Sequence, residues 1–300
     1  MTNEGTEQKV LVTGATGFIG SHVVTQLLQQ GKTVIAVSRT ASGLPTHANL
    51  EHLPLDLHDQ AAVSTFIQKH RPHALIHLAW EATPGLFWHS EENLKWLSSS
   101  STLLQQFVAA GGETAVLAGT CAEYKWENEV LHEDSSPVNP TTLYSASKHA
   151  FHTLAKVIAK DINLIWGRIF LPYGPDEDEN KLISHIVREI QAGNEPTFQT
   201  PGRAVDFIHV QDVACALVAL AHTHVSGTRN ICSGKAVTPL DIAQMVSLKL
   251  GKMSLAETYR HRLETTKITS RVQGSTQRFD DICPQVQRRT LVDGLSSYFS

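Results

Sequence analysis

Residues 10–20 read VLVTGATGFIG, an apolar run that ends at Thr13 and gives way to glycines at 14, 17 and 20. A buried parallel strand shows as a short continuous Val/Ile/Leu run, and this one leads through a tight turn into an amphipathic stretch over 18–30 closed by Gly31. The reading is strand, turn, helix. Glycines at such a turn remove the side chains that would hold a phosphate away from the backbone and from the positive end of the helix. Gly14, Thr16, Gly17, Phe18, Ile19 and Gly20 are therefore expected to cradle the pyrophosphate of a dinucleotide.

Working outward, further strand-like runs lie at 34–37, 53–57, 74–79 and 115–118, with helical spacing over 61–70, where Pro72 stops it, and over 91–110. Strands that alternate with helices and read as continuous apolar runs predict an α/β fold with a Rossmann-type doubly wound parallel sheet over residues 1–170. After 169 the texture changes to Pro172, Gly174, Pro175 and an acidic loop at 176–179. Residues 171–300 are expected to form a smaller mixed α/β substrate lobe, with strand 205–210 and helix 211–223 returning to the first domain. Other elements there are a helix over 182–190, a strand at 229–232, a helix over 239–250 and a weak helical pattern at 291–299.

A length of 300 residues, 41% hydrophobic and 18% charged, suits a globular enzyme, and no apolar run approaches the roughly 18 residues of a membrane span. A net charge of −4 without a long basic run leaves no footprint for nucleic acid or an anionic membrane. Residues 1–9 do not resemble a signal peptide and read as a short frayed tail. Cys121, Cys215, Cys232 and Cys283 are widely spaced, which fits reduced thiols and a cytoplasmic location. Sixteen histidines include the close pairs His149/His152 and His222/His224, but none has zinc-site spacing, so no metal is expected.

Cofactor choice depends on the end of the second strand, where an acid would accept ribose hydroxyls and a base would pair with a 2′-phosphate. No Asp or Glu occurs from 32 to 50, and Ser38-Arg39 follows the strand directly. NADP(H) is therefore preferred over NAD(H), the alternative being that Arg39 is a solvated loop residue. Asp56 and Leu57, after the third strand, could hold the adenine edge, and a loop-capping Asp56 is the other reading.

Tyr144 and Lys148 lie four apart at the start of a helical pattern, so both project from one face. A phenol near pKa 10 is a poor base at neutral pH, but a nearby ammonium stabilises its phenolate. Lys148 can also donate to the nicotinamide ribose. Thr120 ends the run at 115–119, on the carboxyl side of the sheet where such folds place ligands. As charge grows on a ketone oxygen, Thr120 would orient that oxygen while Tyr144 donates the proton.

With Thr120 included, the set resembles the short-chain dehydrogenase/reductase family, and the Gly-x-x-Gly-x-x-Gly spacing is similar to its extended branch. The stretches HLA at 77–79, GRIFLPYGP at 167–175 and DFIHVQDVA at 206–214 look like the nucleotide-sugar epimerase/dehydratase/reductase group. This resemblance implies that Leu78 and Ala79 border the cofactor, that 170–173, with Phe170 and Tyr173, border the nicotinamide and substrate, and that 203–207 approaches the substrate's diphosphate. The group's arginine before Asp-Phe is replaced by Val205, which leaves Arg203, two residues upstream of that position, as either the diphosphate contact or a surface residue. The resemblance also implies a homodimer through helices 91–110 and 141–160.

The run after Thr120 is Cys121-Ala122-Glu123-Tyr124, and Ala122 stands where related dehydratases carry an acid. Dehydration is disfavoured. Cys121 and Ala122 are expected to border the substrate, while Glu123, a residue out of register, reads as structural. Two enzyme readings remain. A reductase of a nucleotide-linked 4-keto-6-deoxy sugar is favoured over an NAD-linked 4-epimerase, and a non-catalytic NADP-binding regulator is the third reading, weakened by the complete proton-transfer set.

Overall fold

The first strand, β1 (Lys9–Thr13), is buried from its second residue onward and hands over through Gly14–Gly17 to α1 (Phe18–Gln29). The structure, a computed structural model, describes residues 8–40, 43–126 and 130–299; the frayed start expected over 1–9 falls outside the described residues up to position 7. The chain continues through β2 (Thr33–Ser38), β3 (Leu50–Pro54), α2 (Gln60–His70), β4 (Ala74–His77), α3 (Glu92–Ala109) and β5 (Thr114–Thr120). After a 3₁₀ turn at Cys121–Glu123 come β6 (Val130–Leu131), α4 (Leu143–Ile158), β7 (Asn163–Ile169), β8 (Leu171–Tyr173) and α5 (Leu182–Ala192). The remainder is β9 (Arg203–His209), α6 (Val210–Ala221), β10 (Gly227–Ile231), β11 (Ala236–Val237), α7 (Pro239–Lys249), α8 (Met253–Thr265), β12 (Ser270–Gly274), α9 (Gln277–Asp280) and α10 (Leu291–Ser296).

Seven parallel strands form one sheet in the order β10-β7-β5-β4-β1-β2-β3. The order reverses between β1 and β4, so the two βα turns on either side of that point diverge and leave a crevice at their carboxyl ends. One apolar layer holds Val23, Leu27, Val213 and Leu217 between the sheet, α1 and α6; the other holds Ile67, Phe107, Phe151 and Trp166 against α2, α3 and α4. Helices cover both faces, which is why the strands carry little polar alternation.

The smaller sheet runs β11-β9-β12-β6, with β8 beside β9. Two sequence expectations are corrected here. Helix 210–221 does return to the large domain and packs on α1, but the strand before it, β9, lies in the smaller sheet; β10 is the strand that goes back, alongside β7. The third strand is Leu50–Pro54 rather than 53–57, because β3 is a half-exposed edge strand whose polar Glu51 and His52 conceal it. Asp206, fully buried, ties the lobe together by accepting from Ser233 N and Oγ, Gly234 N and Gly274 N at 2.6–3.2 Å. All four cysteines are free, and no helix among the described residues is long and apolar enough to cross a membrane.

Candidate active site

The glycine turn is shaped by contact as well as conformation. Gly14 has φ +66°, and a Cβ there would lie 2.8 Å from the backbone N of Ala79; a Cβ on Gly20 would lie 2.0 Å from Gly14 O. Exposed Gly17 is the N-cap of α1 and brings no side chain, so nothing of the chain's own competes for the first N–H groups of the helix. Thr13 Oγ1 fixes the opposite wall by accepting from Leu78 N and Ala79 N at 3.3 and 3.4 Å and lying 2.7 Å from His77 Nδ1. His77 Nε2 reaches Ser100 Oγ on α3 at 2.9 Å. Burial, with a smaller push from the Lys148 charge, lowers His77 to about 3, so its neutral ring accepts at one nitrogen and donates at the other.

At the far side of the crevice, the parallel register places Thr120 beside Ile169 at the ends of β5 and β7. The first turn of α4 is fixed by a reciprocal cap between Thr142 and Ser145 and by Tyr144 N donating to Trp88 O at 3.1 Å. The Tyr144 ring is held edge-on by Phe87 and Trp88, with centroids 4.9 and 5.7 Å away, and its hydroxyl faces the Thr120 side chain. Burial pushes the phenol above its ordinary range, outweighing the Thr120 hydrogen bond. Lys148, 4% exposed, donates from Nζ to Ala118 O at 2.8 Å and lies 4.0 Å from the centre of the Trp80 ring. Burial brings it down to about 7 against the opposing pull of Glu123.

Thr120, Tyr144 and Lys148 are thus brought together at the sheet's carboxyl edge, as their order in the chain suggested. Other expected residues separate. Ser38 Oγ donates to Thr40 O and lies 2.8 Å from His52 Nε2, while Arg39 is exposed, with its charge felt by Glu81. Asp56 accepts from His58 N at 2.9 Å, the loop-capping alternative, and Leu57 is sunk in the core. Phe170 and Tyr173 are each 2% exposed, and Tyr173 packs on Phe207 and His209, because residues 171–173 pair with β9 as β8. Direct substrate contact by Tyr173 is not what this placement offers.

Cys121 is buried and pushed up to about 12 by burial, which makes it a poor nucleophile; Ala122 beside it is half-buried. Arg203 stacks 4.8 Å from the centre of the Trp126 ring, whose Nε1 donates to Cys121 O at 2.9 Å, so the guanidinium stands against the turn that follows Thr120. Sequence reasoning missed Trp80, Phe87 and Trp88 as walls of the site, since aromatics in a loop carry no periodic signal.

This geometry agrees with comparison to known proteins. The profile of the NAD dependent epimerase/dehydratase family matches residues 10–232. The chain belongs to that family. It is an enzyme by that membership and is 29% identical over 275 residues to UDP-glucose 4-epimerase of Neisseria meningitidis serogroup B, covering 78% of this chain and 80% of that one. It is 27% identical over 236 residues to dTDP-6-deoxy-L-talose 4-dehydrogenase (NAD(+)) of Aggregatibacter actinomycetemcomitans, covering 75% and 84%. Among solved structures, MoeE5 in complex with UDP-glucuronic acid and NAD superposes with a TM-score of 0.77 at 25% identity over 96% of this chain and 97% of that one. The family's epimerase/dehydratase fold accounts for both sheets.

Proposed function

We propose that this enzyme is an NADP(H)-dependent oxidoreductase that reduces the keto group of a nucleotide-linked 4-keto-6-deoxy sugar. The observation that carries the reading is the placement of Thr120 at the carboxyl end of β5, facing Tyr144 in the first turn of α4, with Lys148 one helical turn further on and anchored to Ala118 O of the same strand. The residues fit a dinucleotide: without side chains, Gly14 and Gly20 let the turn pack directly on Ala79 and on the start of α1, and exposed Gly17 adds no side chain in front of an uncapped helix N-terminus. A bound nicotinamide supplies the hydride. Thr120 donates a hydrogen bond to the carbonyl oxygen, and Tyr144, kept protonated by burial, gives that oxygen its proton. Lys148 as an ammonium then stabilises the phenolate until it is reprotonated.

Support for NADP(H) is the exposed Arg39 after β2 and the lack of an acid there, although MoeE5 and the talose dehydrogenase are named with NAD. The dehydrogenase relative acts at position 4, which favours net redox chemistry; the epimerase relative supports a second reading, an NAD-linked 4-epimerase. Arg203 on Trp126 is the proposed diphosphate contact. Exposed Leu94 on α3, with Leu154 and Val157 on α4, supports a homodimer through those helices, and we place the protein in the cytoplasm.

The test is to incubate purified protein with 4-keto and 4-hydroxy sugar nucleotides and either NADPH or NADH, following absorbance of the reduced cofactor and product stereochemistry. Stoichiometric NADPH consumption supports the proposal. Interconversion of hydroxy sugars without net cofactor change refutes it in favour of the epimerase.

A further inference from the structure

Thr120 is the N-cap of the 3₁₀ turn Cys121–Glu123, and its Oγ1 accepts from Ala122 N at 3.2 Å. Glu123 closes that turn from below. Its Oε1 accepts from Thr120 N at 3.0 Å and Trp166 Nε1 at 2.9 Å, and its Oε2 accepts from Arg168 Nε at 3.1 Å. The same Oε2 stands 3.7 Å from His149 Nδ1 and 4.0 Å from His152 Nδ1. Both ring nitrogens are sealed from solvent and have no hydrogen-bond partner among the described residues. Glu123 itself is 0% exposed. Even Gly119 serves this arrangement, because a Cβ there would lie 2.2 Å from Trp166 Nε1 and 2.8 Å from Glu123 Oε1.

We propose that Glu123 is a positioning residue for the reacting groups: its carboxylate holds the turn bearing Thr120 against β7 and against the helix bearing Tyr144 and Lys148, and sets the charge they face. The proposal rests on the reading of Thr120, Tyr144 and Lys148 as the reacting site. A buried carboxylate needs several charged or dipolar partners to stay ionised, and here they come from three different elements. The bond to Thr120 N fixes the backbone from which the reacting hydroxyl projects. His149 adjoins Lys148 in sequence, so a movement of Glu123 is felt at both ends of the site.

Charge adds a second link. Burial works to raise the Glu123 carboxyl, but His149, Arg168, Thr120 N and Trp166 together hold it below the ordinary range. Ionised Glu123 in turn raises both Tyr144 and Lys148. The other groups facing it are Cys121 and Tyr124 on its own segment, His149 and His152 on α4, and Arg168 on β7. A divalent cation among Glu123, His149 and His152 is disfavoured even though their ligand atoms lie within 4.8 Å of one another. Oε2 already carries Arg168, and the guanidinium charge opposes a cation there.

The experiment compares Glu123→Gln, Glu123→Asp and Tyr144→Phe with the unaltered enzyme. Glu123→Gln keeps the size but removes the charge and sets an amide N–H against the Arg168 Nε donor, which displaces the turn it holds; Glu123→Asp keeps the charge and withdraws it by one methylene. For Glu123→Gln we expect kcat to fall on the order of 100-fold, the scale of a 1 Å misplacement at a reacting centre, with KM and dinucleotide affinity nearly unchanged. Both limbs of its pH–rate profile should move to lower pH, and so should the NMR titration of Lys148 in the cofactor-free protein. Glu123→Asp should lose kcat while keeping the pH profile. Wild-type kcat and superimposable profiles in the glutamine variant, or wild-type kcat in the aspartate variant if the former does not fold, overturn the proposal. Retained turnover in Tyr144→Phe overturns instead the site reading beneath it.

Discussion

Replacing Lys148 with methionine should make the cofactor-free protein more stable at pH 6 while removing most of its turnover. Lys148 is 4% exposed, and burial takes its ammonium from the ordinary 10.5 to about 7. At ~1.4 kcal/mol per pH unit, the fall from 10.5 to about 7 corresponds to about 5 kcal/mol of folding free energy spent on burying the charge. Methionine fills a similar volume but loses the bond to Ala118 O and the contact with the Trp80 face, each worth about 1 kcal/mol. About 3 kcal/mol should remain as net stabilisation. Below pH 7 the folded and unfolded chains both carry the proton, so the full penalty is present. Between about 7 and 10.5 the unfolded chain binds a proton that the folded chain has released, so wild-type stability from this group climbs with pH. The variant's advantage should therefore be largest at pH 6, vanish near pH ~9 and give way to a wild-type advantage of about 1 kcal/mol at pH 10. Guanidinium unfolding of both proteins at the two pH values reads it directly. A methionine variant that is less stable at pH 6, or a gap that does not change with pH, would refute the reasoning.

Tyr144→Phe should lower kcat by about 10²–10⁴ and leave dinucleotide binding, followed by fluorescence titration, near wild type, because one proton donor is lost and little packing changes. Gly20→Ala puts a methyl 2.0 Å from Gly14 O and should weaken dinucleotide affinity at least ~10-fold and cost about 1–3 kcal/mol in a chemical melt; wild-type affinity would remove the turn from the cofactor site. Arg39→Ala should lose NADPH affinity about 10-fold or more with little change for NADH, and an equal loss of both would contradict a 2′-phosphate contact.

The large sheet was legible because its central strands are buried on both faces and its glycines mark one turn that little else can build. The convergence of Thr120, Tyr144 and Lys148 was legible because helix spacing and strand-end position are local signals. The smaller sheet was not: β6, β8 and β11 span two or three residues, too few to show a period, and β12 reads SRVQG. Tyr173 lies in one of these short strands. Glu123 was legible only as an acid in the wrong register, since its partners Trp166 and Arg168 lie 43 and 45 residues away. His149 and His152 carry the i,i+3 spacing of a helix face, but nothing in the sequence says which carboxylate that face meets.

The return of β10 to the outer side of β7 makes the sequence boundary near residue 170 a poor place to cut. A fragment ending there would present β7, buried along six of its seven residues, as an unpaired edge. It would also strip α6 from the face of α1. Such an edge invites strand addition from another chain. The large sheet and the smaller lobe therefore interleave along the chain, and exchanging the lobe between relatives would require moving at least three separate segments of chain together.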